Sequence, residues 1–292
     1  MSGVRTRALV LAGGGVTGIG WELGVMLGLR EEGVEVVGWD LIVATSAGSI
    51  VGAALGAASH LDSLRDSFTR SDGSRLRELM GRWDPAVPAQ IEDLWFSPAS
   101  ATDGPDRVTR AVIGRLASID DPELAAEYRA SIERLVSWSE WPAALKITAV
   151  DVADGSPMVF DASSGVPLAT AAAASCAVPG VFPPVAIDSR RYMDGGVRSA
   201  SNADLAAGHD LVVIVAPNRA DGPWAERLEL EVARLRAAGA RVVEILLDET
   251  SGAAFGSGTM DEENARAAMI AGLAVGRREG MAHAADLPVR AT

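Results

Sequence analysis

The sequence contains few of the residues from which disulfide scaffolds and metal sites are built. It has one cysteine, Cys176, and three scattered histidines, His60, His209 and His283. A single cysteine cannot form an internal disulfide, and the histidines do not have the spacing of a zinc site. We therefore expect no bound metal and no cofactor, and the lone thiol is compatible with a reducing compartment such as the cytoplasm.

Positive charge is also scarce. The 292 residues include 26 Lys and Arg against 39 Asp and Glu, which gives a net charge of −13, and no basic cluster is present. A molecule of this charge is repelled by nucleic-acid phosphates and by anionic membranes. We therefore expect no nucleic-acid partner and at most transient contact with a membrane.

Two long stretches without Asp, Glu, Lys or Arg, residues 41–61 and 162–187, do not have the character of membrane spans. The first contains several glycines, serines and a histidine, and the second contains four prolines that would interrupt a spanning helix. The apolar stretch near the amino terminus is rich in glycine and lacks a cleavage signal, so we interpret it as mature sequence. The sequence thus predicts no integral membrane span.

Short β-rich runs alternate with segments of helical periodicity, which is typical of a parallel sheet covered by helices. We predict one domain over residues 1–292, a three-layer α/β/α sandwich with a mostly parallel central sheet. The stretch 83–105 contains four prolines, and we predict an irregular, lid-like excursion there. The predicted strands are 8–12, 41–45, 144–152, 157–160, 210–217 and 241–248. The predicted helices are 21–33, 47–57, 62–70, 106–117, 121–137, 223–238 and 261–278.

Ser46 lies where a predicted buried strand passes directly into a predicted helix, in the sequence ATSAG at 44–48. Only small residues surround it, which is what a tight nucleophile elbow requires, and the helix that follows directs its free N–H groups toward the serine. Ala44 stands where the G-x-S-x-G pattern has glycine. By itself the motif is equally compatible with a serine that caps the helix.

A glycine-rich turn, GGGVTG at 13–18, follows the first predicted strand. Its backbone N–H groups can approach a developing negative charge, as in an oxyanion hole. The same pattern matches the dinucleotide-binding fingerprint, and Glu35 follows at about the spacing of a ribose contact. The sequence lacks the lysine of a Walker-type phosphate loop.

Asp194 ends a short predicted strand and is followed by Gly195 and Gly196. A carboxylate at such a sharp turn is placed as a general base would be. The alternative interpretation is an aspartate that only caps its own turn.

These motifs, together with ASCAVPGVFPPV at 174–185, occur in an order that resembles the patatin-like phospholipase family over residues 8–216. The resemblance implies a lipid acyl hydrolase with a Ser46/Asp194 dyad that works through an acyl-enzyme. Thr17 stands where many family members have Arg or Lys. The motif positions carried over from the family are Gly18, Ala44, Gly48, Gly195 and Gly196, and the expected oxyanion-hole residues are Gly13, Gly14, Gly15 and Ala47.

A dyad requires an aspartate with an unusual pKa, because an ordinary carboxylate is a poor base for a serine hydroxyl. Burial of Asp194 would raise its pKa and make it a better base. A hidden triad with His209 would require that histidine near Ser46. His209 precedes a predicted strand whereas Ser46 follows one, so we expect them at opposite edges of the sheet.

The substrate expected from the resemblance is a lipid or another ester. Trp83, Trp95 and Phe96 are candidates for lining an acyl groove, although a small hydrophobic cluster that anchors a loop is the commoner explanation of such residues. Two other functions remain open at this stage. One is an NAD(P)-binding oxidoreductase that uses the glycine-rich turn, and the other is a non-catalytic protein of the same fold.

Overall fold

The computed structural model of the protein describes residues 6–70, 86–96, 104–118, 121–218, 222, 224–256, 259–260 and 262–288. Within them, one mixed sheet is flanked by helices on both faces. The strands are β1 Arg7–Leu11, β2 Leu41–Ala44, β3 Leu145–Asp151, β4 Pro157–Phe160, β5 Val185–Ile187, β6 Arg190–Asp194, β7 Leu211–Ala216 and β8 Arg241–Leu246. The helices are α1 Gly15–Glu31, α2 Ala47–Ala54, α3 Ala58–Arg70, α4 Ala86–Trp95, α5 Arg107–Leu116, α6 Pro122–Leu135, α7 Leu168–Ser175, α8 Ala225–Ala237, α9 Glu249–Phe255 and α10 Glu262–Ala282.

Hydrogen bonds connect the strands in the series β5-β6-β3-β2-β1-β7-β8, and β4 also pairs with β3. The strands β3, β2, β1, β7 and β8 run parallel, whereas β4, β5 and β6 are antiparallel to their neighbours. Leu9 and Leu11 of β1 belong to one hydrophobic core, and Ala8 and Val10 belong to another. Both faces of the central strands are therefore buried, which explains their continuous apolar sequences. The predicted α/β/α fold is confirmed.

The strands β2 and β6 lie along the same edge of β3. The N–H of Ile42 at the start of β2 donates to Ala144 O, and the N–H of Val152 donates to Arg191 O in β6. Successive residues of a strand direct their backbone groups to opposite edges, so residues 144 and 152, an even number apart, use the same edge. The two strands therefore approach each other end to end beside β3.

This arrangement brings the ends of β2 and β6 together. Ala44, the last residue of β2, pairs with Ile147, and Asp194, the last residue of β6, pairs with Ala149. The two ends are thus offset by two residues of β3, or about 7 Å along the strand. Ser46 follows β2 by two residues and reaches the level of Asp194.

Helices α1 and α10 pack against each other in parallel with almost no space between their backbones. At five glycines an added Cβ atom would lie 2.1–2.3 Å from a carbonyl oxygen of the other helix. Only glycine permits so close an approach, because any larger side chain would overlap that backbone. The five positions are Gly20, Gly24 and Gly28 of α1 and Gly272 and Gly276 of α10.

The segment just before α10 contacts the glycine-rich turn. Thr259 O accepts a hydrogen bond from the N–H of Thr17 at 3.0 Å. An added Cβ on Gly15, whose φ is +63°, would lie 2.3 Å from the same oxygen. The close packing of α1 on α10 therefore also fixes the start of α1, where the turn lies.

Several sequence predictions require correction. Helix α1 begins at Gly15 rather than at residue 21, because contact with α10 stabilises a glycine-rich first turn of low helix propensity. The excursion predicted at 83–105 contains the regular helix α4. Its proline, Pro88, is the third residue of the helix, in the first turn, where N–H groups have no partner within the helix. Trp83 and residues 97–103 lie outside the described residues.

Helices α7 and α9 and the short strand β5 were not predicted. The run of alanines in α7 lacks polar residues that would define a helical periodicity. Of the helices that the structure describes, none combines the length and the apolar character that crossing a membrane requires.

Candidate active site

Ser46 has an unusual backbone conformation at the turn between β2 and α2. Its φ is 52° and its ψ is −117°, and the residue is 6% exposed. Such a positive φ costs a residue other than glycine about 1–3 kcal/mol, and it is retained only where the surrounding structure enforces it. Ser46 occupies the N-cap position of α2, but its side chain makes no capping hydrogen bond within the described residues. Helix capping therefore does not explain this serine.

Hydrogen bonds from both sides hold the strained turn. The N–H of Ser46 donates to Ser175 Oγ at 2.8 Å. Its carbonyl oxygen accepts from Ser49 Oγ at 2.6 Å and from the Cys176 thiol at 3.1 Å. Burial raises the pKa of that thiol well above its ordinary value, so Cys176 is a neutral donor. The backbone of Ser46 is thus fixed, while its hydroxyl is not required for these contacts.

Asp194 is 2% exposed at the end of β6. Its Oδ1 accepts the N–H of Gly196 at 2.7 Å, which is the turn-capping bond that the sequence suggests. Its Oδ2 is buried and has no hydrogen-bond partner in the described part of the chain. Burial raises the pKa of Asp194 to about 7, and hydrogen bonding by Ser46 and by Gly196 opposes this effect.

The hydroxyl of Ser46 and the carboxyl group of Asp194 therefore lie next to each other. The serine is close enough to lower the pKa of Asp194, although no hydrogen bond of ordinary length and angle joins the two side chains. Hydrogen bonds of active sites are often long before substrate binds. The titratable groups near Asp194 include Cys176 and Tyr128, and burial raises the pKa of both, so neither ionises near pH 7.

The glycine-rich turn lies beside Ser46. An added Cβ on Gly13 would lie 3.4 Å from Ser46 Cβ. The N–H of Gly13 already donates to Ala200 O at 2.7 Å, so Gly13 does not have the free donor that the sequence suggested. The N–H groups of Gly14, Gly15 and Ala47 make no hydrogen bond within the described residues. These three N–H groups can therefore donate hydrogen bonds to an anion beside Ser46.

The other motif positions allow close approaches between backbones. An added Cβ on Gly48 would lie 2.3 Å from Leu11 O, and one on Gly195 would lie 2.3 Å from Thr148 Oγ1. The turn at Ser46 thus packs directly on β1, and the turn after Asp194 packs directly on β3. Ala44 is fully buried, so its methyl group is accommodated in the core. Its presence does not prevent the strained turn at Ser46.

Two of the three predicted groove residues lie beside the turn that follows Asp194. Trp95 Nε1 donates to Gly196 O at 3.2 Å. The Trp95 ring stacks on Phe96 with ring centroids 5.6 Å apart, and Trp224 packs edge-on against both rings. Phe96 is 39% exposed. This aromatic cluster, Trp95, Phe96 and Trp224, therefore extends from the candidate site to the surface.

The histidines lie away from Ser46. His209 precedes β7, whose register with β1 and β2 places it at the amino edge of the sheet, whereas Ser46 is at the carboxyl edge. Its Nδ1 lies 3.1 Å from Ala206 O. His60 is half-buried and stacks on Trp138 at 4.6 Å, rather than lying free on the surface. A Ser-Asp-His triad is therefore absent from the described residues.

Glu35 does not approach the glycine-rich turn. It follows α1, a helix of 17 residues and about 25 Å, and it precedes β2 at the amino edge of the sheet. Its carboxylate accepts the N–H of Val37 at 3.1 Å. A ribose held by Glu35 would thus be a helix length away from a pyrophosphate at the glycines.

Sequence reasoning missed several residues that support the candidate site. Ser175 and Cys176 belong to the 174–185 motif, but nothing in the motif indicated that they bond the backbone of Ser46. Trp224 is distant in sequence from the other two aromatic residues. The polar side chains of Thr45, Thr148 and Asn202 are buried behind the two turns. Thr45, a polar residue at the end of an otherwise apolar predicted strand, is a local signal that could have suggested such a network.

Among the solved structures that resemble this chain is VipD from Legionella pneumophila, with 14% sequence identity and a TM-score of 0.44 over 96% of this chain and 67% of VipD. Another is the type III effector protein ExoU, with 18% identity and a TM-score of 0.40 over 94% of this chain and 53% of that one. A third is ExoU in its heterodimeric complex with SpcU from Pseudomonas aeruginosa, with 21% identity and a TM-score of 0.34 over 94% and 52%. The chain thus spans about half the length of the ExoU chains. No curated protein sequence matches it.

The family model described as Patatin-like phospholipase matches residues 9–207. This range covers more than half of the 292 residues. It includes the glycine-rich turn, Ser46 and Asp194. The resemblance predicted from the order of the motifs is confirmed, and the chain belongs to the patatin-like phospholipase family.

Proposed function

We propose that the protein is a lipid acyl hydrolase that cleaves carboxylic ester bonds with a Ser46/Asp194 dyad. Family membership supports lipid hydrolysis as the activity. The observation that carries the dyad is the unpaired, buried Oδ2 of Asp194 beside the strained Ser46. A carboxylate with a pKa of about 7 exchanges protons near neutral pH, as a general base must.

In the proposed reaction, Ser46 Oγ attacks the ester carbonyl carbon while its proton passes to Asp194 Oδ2. The tetrahedral intermediate collapses, the bond from carbon to the alcohol oxygen breaks, and Asp194 returns the proton to the leaving alcohol. Ser46 then carries the acyl group. Water attacks this acyl-enzyme while Asp194 accepts its proton, the bond from the acyl carbon to Ser46 Oγ breaks, and Asp194 returns the proton to Ser46 Oγ, which releases a fatty acid and regenerates Ser46.

We assign the oxyanion hole to the amides of Gly14, Gly15 and Ala47. Their N–H groups have no partner among the described residues, and Ala47 begins a helix whose amino end favours negative charge. Amides fixed in a buried turn need little rearrangement when the oxyanion forms. Such donors compensate in part for Thr17, which supplies no positive charge where many family members have one.

The substrate class in this proposal is an uncharged or zwitterionic lipid ester, because the net charge of −13 opposes docking on an anionic bilayer. The aromatic cluster beside Gly196 offers an apolar surface for an acyl chain. We also propose that the protein acts in the cytoplasm as a single hydrolase domain.

The test combines covalent labelling with turnover. A fluorophosphonate probe should label the parent protein, and peptide mapping should place the adduct on Ser46. Ser46→Ala should lose the labelling and at least about 1,000-fold of the p-nitrophenyl ester hydrolysis. Ser63→Ala, which removes an exposed hydroxyl that bonds Ser59 O within α3, is the control for loss of a serine and should still be labelled. Undiminished hydrolysis by Ser46→Ala would refute the assignment.

A further inference from the structure

A buried polar network lies behind the two turns that carry Ser46 and Asp194. Its members are Thr45, Thr148 and Asn202, which are 0%, 3% and 1% exposed. Thr45 immediately precedes Ser46, and Gly195 immediately follows Asp194. The side chain of Asn202 contacts both segments, although Asn202 is distant from Ser46 in sequence.

The amide nitrogen of Asn202 is the centre of this network. Nδ2 lies 3.0 Å from Thr45 Oγ1, 3.3 Å from Thr148 Oγ1 and 3.4 Å from Gly195 O. It also donates to Ser199 O at 2.6 Å. Because an amide nitrogen has two hydrogens, the shortest bonds go to Ser199 and Thr45, and the other two contacts share these hydrogens.

The orientation of the amide follows from its other end. Asn202 Oδ1 accepts from Arg198 Nη1 at 2.6 Å, and an arginine can only donate. Arg198 is in turn held by Asp204, with Nη1 3.0 Å from Oδ1 and Nη2 2.5 Å from Oδ2. The nitrogen of the amide must therefore face Thr45 and Gly195.

The hydroxyl groups then form a directed chain back to the elbow. Asn202 donates to Thr45 Oγ1, which leaves the Thr45 proton for Thr148 Oγ1 at 2.8 Å. Thr148 donates to Ala44 O at 3.4 Å. Each proton has an acceptor, so the network is fully satisfied while it joins the end of β2, the middle of β3 and the turn after β6.

The backbone of Asn202 also has an unusual conformation. Its φ is 49° and its ψ is 33°, the left-handed region, which asparagine adopts more readily than other residues with a side chain. Glycine would adopt it at lower cost. The presence of asparagine there is explained if the amide itself is required.

We infer that Asn202 is a positioning residue, whose side-chain amide sets the distance between the Ser46 hydroxyl and the Asp194 carboxylate by binding both turns. The inference rests on the proposed function and adds a residue that does not touch substrate. Loss of the amide should lower the rate of the chemical step and leave substrate binding unchanged, because the proposed acyl surface is formed by the rings of Trp95, Phe96 and Trp224 and not by Asn202.

The first variant is Asn202→Gly, which removes the amide and keeps the left-handed backbone accessible. Because misplacement of reacting groups by about 1 Å costs on the order of 100-fold in rate, we expect kcat to fall about 10- to 100-fold with KM within about two-fold. Asp188→Gly is the matched control, since Asp188 is exposed and has a φ of 53°. It should retain the parent kcat. An unchanged kcat in Asn202→Gly, or an equal fall in Asp188→Gly, would overturn the inference.

A second variant tests whether the amide acts through Thr45. Thr45→Val removes the hydroxyl with little change of shape and should lower kcat to a similar extent. The double variant with Asn202→Gly should be little worse than either single variant, because both remove the same hydrogen bond. If the fall in kcat of the double variant equals the product of the two single falls, the amide does not act through Thr45 and the inference is overturned. Urea denaturation of each variant establishes that the assays measure folded protein.

A titration distinguishes failure of this inference from failure of the proposed function. Carbon-13 NMR follows ionisation of Asp194 without any turnover. The Ser46 hydroxyl lowers the pKa of Asp194, so separating the two groups in Asn202→Gly should move the midpoint upward from about 7. Cys176 and Tyr128, two titratable groups near Asp194, stay neutral in this range. An unmoved midpoint refutes positioning by Asn202, whereas a parent protein that hydrolyses no ester refutes the proposed function alone.

Discussion

Replacement of Asp194 by asparagine should abolish hydrolysis and at the same time stabilise the protein above neutral pH. Asparagine has nearly the same shape, and its Oδ1 can still accept the N–H of Gly196. It cannot accept the Ser46 proton, because its nitrogen is not a base. The substitution therefore removes the general base and also removes a buried negative charge.

The stability gain follows from the pKa of Asp194. Burial raises this pKa to about 7, compared with roughly 3.9 in an unfolded chain. Well below pH 4 the carboxyl group is protonated in both the folded and the unfolded state, so folding does not have to bury a charge. Between pH 4 and 7 the unfolded state releases its proton first, so the free energy of unfolding falls as pH rises. A difference of about three pKa units corresponds to ~4 kcal/mol over the full range.

The difference in unfolding free energy between Asp194→Asn and the parent isolates this contribution, because the other carboxylates titrate in both proteins. Urea denaturation at pH 5.5 and pH 8 avoids the sequence pI of 4.7. From pH 5.5 to pH 8 the excess unfolding free energy of Asp194→Asn over the parent should grow by ~2 kcal/mol. The interval from pH 5.5 to the pKa of about 7 covers 1.5 pH units, and each unit contributes ~1.4 kcal/mol.

The same samples give the activity. The parent kcat/KM should rise with pH with a midpoint near 7, as Asp194 loses its proton. Asp194→Asn should be inactive at every pH. A stability difference that is equal at pH 5.5 and pH 8 would mean that Asp194 is not a buried group of raised pKa, and the argument for the dyad would lose its physical basis.

Three further substitutions test other parts of the structure. Ser46→Gly should be more stable than Ser46→Ala by about 1 kcal/mol in urea denaturation, because glycine adopts a φ of 52° without strain; equal stability would argue against strain at this turn. Gly24→Ala should lower stability by about 2–3 kcal/mol, because its Cβ would lie 2.1 Å from Met269 O. Gly56→Ala, whose added Cβ would come no closer than 3.3 Å to another described atom, is its control and should change stability far less. Trp95→Ala should raise KM about 5- to 10-fold for long-chain esters and little for acetyl esters, whereas equal changes would argue against an acyl contact.

The parts of the site that could be predicted are those encoded by a few consecutive residues. Ser46 was placed between a strand and a helix because ATSAG permits only a tight turn there, and the structure has that turn. Asp194 was placed at the end of a strand because two glycines follow it. In each case the residues that fix the conformation are immediate neighbours in the sequence.

The remaining features depend on contacts between distant segments. Gly15, Gly18 and Gly20 predict a loop by their low helix propensity, but they begin α1, where a partner helix more than 200 residues away packs too closely for side chains. The end-to-end meeting of β2 and β6 depends on which edge of β3 each strand uses, and no property of either strand specifies that edge. Asn202 likewise lies in a short polar segment whose sequence does not indicate its buried partners.

The proposed dyad can dispense with histidine because burial changes the chemistry of the carboxylate. A histidine has an ordinary pKa of about 6.5, which suits proton exchange at neutral pH. Asp194 reaches a pKa of about 7 by desolvation, so it has a comparable basicity with a smaller side chain. The cost of the buried charge and of the strained Ser46 must be offset by the structure around them. The hydrogen bonds made with Ser175, Cys176 and Asn202 serve this purpose, since they fix both turns without using the hydroxyl or the Oδ2 atom that react in the proposed mechanism.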